Sequence, residues 1–143
     1  MTTVTEISAE TLSRAILPLL ADEISGLRAV YFFGSASQGR ARKNSDVDLA
    51  VLAEEAVDAG RLFDTAQVCA ARLASDVDLV DLRAAPLVLQ AQIVGHGHRL
   101  APVGAAQEVD EFENAVLSRY LAFVEERRPL MAEIVRRRAI HAA

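Results

Sequence analysis

Apolar residues in this chain follow two rhythms, a helical one at both ends and a run of short strand-like blocks between. Leu12, Ile16, Leu19 and Leu20 share one side of a helix spanning 8–25. Ser8 suits its N-cap, Glu10 its first turn and Gly26 its end. Pro18 is expected to kink or split it, because proline lacks an amide hydrogen and crowds the preceding turn. Residues 27–33 read as a buried strand bounded by Gly26 and Gly34, and 47–52 as a second strand. Between them, 35–45 is small, polar and basic, which suits a loop or a short helix. A helix over 58–74 turns Leu62, Ala66, Cys69 and Leu73 inward. A third strand follows over 77–82. Pro86 opens a helix that runs through 87–94 and ends at Gly95. Residues 98–103 suit a short edge strand. Val109, Phe112, Val116, Tyr120 and Phe123 keep the helical period in a segment over 106–141, which Pro129 is expected to bend or interrupt.

This order of elements describes an α/β domain: a small mixed sheet flanked by helices, with a long C-terminal helical segment. A length of 143 residues allows one domain over 1–143, with no separate domain to hold a substrate. A hydrophobic share of 52% excludes a disordered chain. The net charge of -5 argues against nucleic-acid coating, so no direct nucleic-acid partner is expected. Cys69 is the single cysteine, which excludes an intrachain disulfide framework and a cysteine-based zinc module. The apolar runs are too short to span a membrane, and residues 1–10 carry no signal-peptide core. A cytoplasmic protein is expected.

The chemistry concentrates between Tyr31 and Leu52. A glycine directly after a buried strand, Gly34, lets backbone approach a ligand closely. Ser35 then opens a turn whose free N–H groups favour an anion. Arg40, Arg42 and Lys43 add positive charge to the same connection. The chain returns as a strand bearing Asp46 and Asp48, two residues apart and therefore on one side. Adjacent carboxylates repel unless a cation lies between them, and a hard divalent ion such as Mg²⁺ suits oxygen ligands. A third carboxylate is expected from the strand over 77–82. Asp78 is favoured and Asp81 is second. Three carboxylates would hold two metal ions for an in-line displacement at phosphorus.

The run from Phe33 to Leu49, with Gly34-Ser35, ten residues, then Asp46-x-Asp48, resembles the signature of the DNA polymerase β-like nucleotidyltransferase superfamily. It is most similar to the minimal nucleotidyltransferase branch, as are the stretch from Val77 to Pro86 and the charged helix around Arg119-Tyr120. One departure is Ala36, where many relatives carry arginine. The resemblance implies a polymerase β-like fold. It also implies an antitoxin that transfers AMP from ATP to a tyrosine hydroxyl of a HEPN-domain ribonuclease toxin. In that reading Gly34 and Ser35 hold the triphosphate, and Asp46 and Asp48 ligate Mg²⁺. Asp78 completes a second metal site and helps activate the hydroxyl. Arg40, Arg42 or Lys43 neutralises the leaving pyrophosphate.

Three other readings stay open at this level: an antitoxin acting by binding alone, a transferase for a small-molecule hydroxyl such as an aminoglycoside, and a partner subunit with a vestigial site. Other features have plainer explanations. His96 and His98, set among glycines, suit a turn better than a metal site. Arg136, Arg137 and Arg138 complement a helix dipole, as the acidic residues at the other end of the segment do. Cys69 is expected to be an inert core residue.

Overall fold

The computed structural model describes residues 8–34, 37, 46–100 and 103–142. Its elements are α1 (Ala9–Glu23), β1 (Leu27–Phe33), β2 (Val47–Ala53), α2 (Ala59–Leu73), β3 (Val77–Asp81), a 3-10 turn (Leu82–Ala84), α3 (Leu87–His96), β4 (His98–Arg99) and α4 (Ala106–Ala142). The four strands stand in the order β3-β2-β1-β4. β2 runs parallel to β3, and β1 runs antiparallel to both β2 and β4. The sheet is mixed, as the sequence pattern indicates.

Strand alternation sends side chains to two cores. Val30 and Phe32 of β1 and Val47, Leu49 and Val51 of β2 pack with Leu12, Ile16 and Leu20 of α1 and Cys69 of α2. Ala29, Tyr31, Ala50 and Leu52 face the other way, onto Ile93 of α3 and Val109 of α4. Cys69 is fully buried, and burial raises its thiol pKa to about 11, so it is inert at neutral pH.

The helix ends follow local chemistry. The Ser8 hydroxyl accepts from the Thr11 amide and the Asp58 carboxylate from the Arg61 amide. Neither internal proline divides its helix: α1 runs through Pro18 and α4 through Pro129. Both prolines lie on exposed faces, where water can satisfy the carbonyl that loses its partner. α3 also continues through Gly95 and stops at Gly97, where an added Cβ would lie 2.5 Å from the Ile93 carbonyl oxygen. β3 ends one residue short of its expected limit, because the Asp81 carboxylate accepts from the Arg83 amide and starts the 3-10 turn.

α4 is about 55 Å long at 1.5 Å per residue. Its first part is fastened to the sheet. The Tyr31 hydroxyl donates to Glu113, and Arg99 bridges Asp110 at 3.1 Å and Glu113 at 3.3 Å. Burial and the Glu113 carboxylate hold the Tyr31 phenol well above its ordinary pKa, so it stays protonated. Beyond Val116 the helix carries Leu121, Leu130, Met131, Val135 and Ile140, each more than half exposed.

Candidate functional site

The parallel register of β2 and β3 builds the site. Asp48 pairs directly with Asp78, and Phe33, the last residue of β1, pairs with Asp48 on the other side. Asp46, just before β2, and Asp48 on it precede Ala50 and Leu52 on the same face of the sheet, the face that α3 and α4 cover further along. Asp78 precedes Val80 on that face of β3. The carboxylates thus occupy the uncovered end of one sheet face. Asp46 and Asp78 are exposed and Asp48 is half-buried.

Crowding has an electrostatic consequence. Burial, then the charges of Asp78 and Asp46, raise the pKa of Asp48 from 3.8 to about 6. Gly34 supplies the space beside it. Its φ of 82° is left-handed, and a Cβ there would fall 2.2 Å from Asp48 Oδ2. Glycine is therefore required at this position by conformation and by contact with the carboxylate.

Asp81, the second choice for a third carboxylate, does a different job. It is buried on the opposite face, where it accepts from the Val57 amide at 2.8 Å and the Arg83 amide at 3.1 Å. Three residues along a strand reverse the side, so Asp78 and Asp81 cannot serve one site. Ser35, Arg40, Arg42 and Lys43 lie outside the described residues.

Two contacts at the site escaped the sequence reading. The Ser37 hydroxyl donates to the Gly34 carbonyl at 2.7 Å, and His98 Nε2 lies 3.1 Å from the Ser37 carbonyl oxygen. The only sequence signal for either was the small, polar character of the loop. His96 is the exposed last residue of α3.

Among the described residues, no three His, Cys, Asp or Glu side chains close a metal cage by themselves. The donor set nevertheless fits a hard cation. All three groups are carboxylates, and Asp48 is penalised by burial and by the like charge of Asp78 and Asp46, which a cation would relieve. Mg²⁺ binds through one or two carboxylates and completes its shell with water and phosphate oxygens, so an enclosed cage is not needed.

An open depression of about 730 Å³ lies at the other end of the sheet. Asp22, Glu23, Glu54, Glu55 and Asp58 line it against a single cation, Arg61. Its charge is the wrong sign for a triphosphate. Among the described residues no helix is long and apolar enough to cross a membrane.

Known proteins of similar sequence share this fold. Residues 16–102 match the family model described as polymerase beta, nucleotidyltransferase. The protein adenylyltransferase MntA of Shewanella oneidensis is 40% identical over 127 residues, covering 89% of this chain and 90% of that one. A chain from a toxin-antitoxin crystal structure with AMP-PNP superposes with a TM-score of 0.76 at 40% identity, covering 86% of this chain and 98% of that one. A chain from the structure of a tri-AMPylated Shewanella oneidensis HEPN toxin in complex with an MNT antitoxin gives 0.72 at 35% identity, covering 89% and 98%.

Proposed function

The chain belongs to the polymerase β nucleotidyltransferase family, and from that premise we propose that it is a protein adenylyltransferase antitoxin. It transfers AMP from ATP to a tyrosine hydroxyl of a HEPN-domain ribonuclease toxin and so silences it. Residues 1–143 act as one domain, in the cytoplasm where ATP is available. The observation that carries this reading is the Asp46, Asp48 and Asp78 cluster at the open sheet end, with Gly34 making room for Asp48.

Asp46 and Asp48 would hold Mg²⁺ against the ATP phosphates, and Asp78 would complete the site of a second ion. The ions' chemistry is neutralisation of charge on the phosphates and on the attacking and leaving oxygens. The chain's own groups do the rest. Gly34 and Ser35 present backbone and hydroxyl to the triphosphate. Arg40, Arg42 and Lys43 offset the charge of departing pyrophosphate. Asp78, exposed at the start of β3, accepts the proton of the incoming hydroxyl. That oxygen bonds to the α-phosphorus as the bond to the pyrophosphate oxygen breaks. The protein contributes position and charge, and no covalent intermediate is required.

The acceptor is a protein because the site opens outward and the exposed apolar residues of α4 offer a surface for one. Two of the solved relatives that support this reading are described as toxin-antitoxin assemblies. The test uses purified chain, Mg²⁺ and ATP labelled at the α-phosphate, mixed with lysate of the source cell. A labelled protein band that disappears with Asp46→Ala supports the reading. Label confined to small molecules would replace it with a small-molecule transferase, and Mg²⁺–ATP binding without any transfer would replace it with a binding antitoxin.

A further inference from the structure

Ser37, just after β1, is tied to the edge strand of the sheet by the His98 side chain. His98 opens β4 opposite Phe32, and its Nε2 reaches the Ser37 carbonyl oxygen at 3.1 Å, across 61 residues of sequence. A carbonyl only accepts, so Nε2 carries the hydrogen. Both the neutral Nε2–H tautomer and the imidazolium meet that condition. Ser37 in turn holds Gly34 through its hydroxyl at 2.7 Å. His98, Ser37 and Gly34 therefore form a chain of hydrogen bonds that ends beside Asp48.

The base of this strut is fastened by backbone hydrogen bonds: the Gly97 amide donates to the Ile93 carbonyl at 2.8 Å and the Leu100 amide to the Val30 carbonyl at 2.9 Å. The imidazole itself is exposed and fills no core space. Among the described residues its hydrogen-bonding partner is the Ser37 carbonyl.

We propose that His98 is a positioning residue for nucleotide binding: through Ser37 it holds the Gly34 carbonyl beside Asp48, where the triphosphate is received. The inference rests on the nucleotidyltransferase reading. Without the strut Gly34 and Ser37 must be positioned by the nucleotide itself, and that cost is subtracted from affinity.

The test compares His98→Ala, His98→Gln and His98→Asn. Glutamine places an amide nitrogen close to where Nε2 stands, whereas asparagine reaches only as far as Nδ1. Affinity for Mg²⁺–AMP-PNP is measured by calorimetry, and KM for ATP and kcat by transfer assay. Losing one exposed hydrogen bond is expected to weaken binding about threefold to tenfold in the alanine and asparagine variants. KM should rise by the same factor with kcat at saturation nearly unchanged, because the contact acts before chemistry. Glutamine should restore binding, and all three variants should melt close to wild type. Alanine binding as tightly as wild type, or glutamine as weakly as alanine, overturns the inference while leaving the functional reading intact. Wild-type protein that fails to bind Mg²⁺–AMP-PNP overturns both.

Discussion

Asp48 sits where burial and two neighbouring carboxylates penalise its charge, and Asp48→Asn removes that charge while keeping the side-chain shape. The difference between its ordinary pKa of 3.8 and the folded value of about 6 corresponds to about 3 kcal/mol at 1.36 kcal/mol per pH unit. Solvent screening of a half-buried group reduces this to about 1–2 kcal/mol. The sign follows from proton binding. Between 3.8 and about 6 the folded chain keeps a proton that the unfolded chain has lost. Wild-type stability therefore falls as pH rises through that window, and the whole penalty is present above it. Asp48→Asn escapes the penalty, so in metal-free buffer near pH 7.5 it should melt about 3–8 °C higher than wild type. The advantage should shrink towards zero below the ordinary carboxylate pKa, and the variant should lose transferase activity. Urea or thermal denaturation of both proteins across pH, with chelator present, measures this directly. Equal stability at neutral pH, or an advantage that persists in acid, would refute the electrostatic account of the site.

Other changes separate site from scaffold. Gly34→Ala forces a left-handed φ on alanine, at about 1–2 kcal/mol, and drives a methyl into Asp48. Transfer should fall by about 100-fold or more while circular dichroism stays native. Asp81→Ala should destabilise by about 1–3 kcal/mol in urea denaturation, because the Val57 and Arg83 amides lose their acceptor, with nucleotide affinity retained. Ile16→Ala, in the core between α1 and the sheet, should cost about 2–5 kcal/mol by the same measurement without touching the site.

β1 was legible in full because its apolar run is closed by glycines at both ends, and its predicted limits match those of the strand. The Asp46-x-Asp48 pair was legible for a similar reason: strand alternation is local. That Asp78 stands beside Asp48 while Asp81 accepts from the Val57 and Arg83 amides depended on the β2–β3 register, which no local pattern encodes. The prolines misled because their effect depends on which side of the helix faces water. β4 covers His98–Arg99, and beyond it the Leu100 and Gly104 amides donate to Val30 and Arg28 of β1, a pairing that no local pattern encodes; residues 101–102 lie outside the described residues. The His98–Ser37 contact was invisible for the same reason, since it exists only once β1 and β4 pair.

The central claim is that neutralisation proceeds by covalent transfer rather than by occlusion. A HEPN-domain ribonuclease recovered as the labelled protein would be incubated with ATP, Mg²⁺ and either wild-type chain or Asp46→Ala. The antitoxin would then be stripped away, and the ribonuclease assayed and weighed by intact-mass spectrometry. The account predicts a ribonuclease that stays inactive and carries AMP on a tyrosine after wild-type treatment, and one that is active and unmodified after Asp46→Ala. Ribonuclease that is unmodified and regains full activity after wild-type treatment would contradict it.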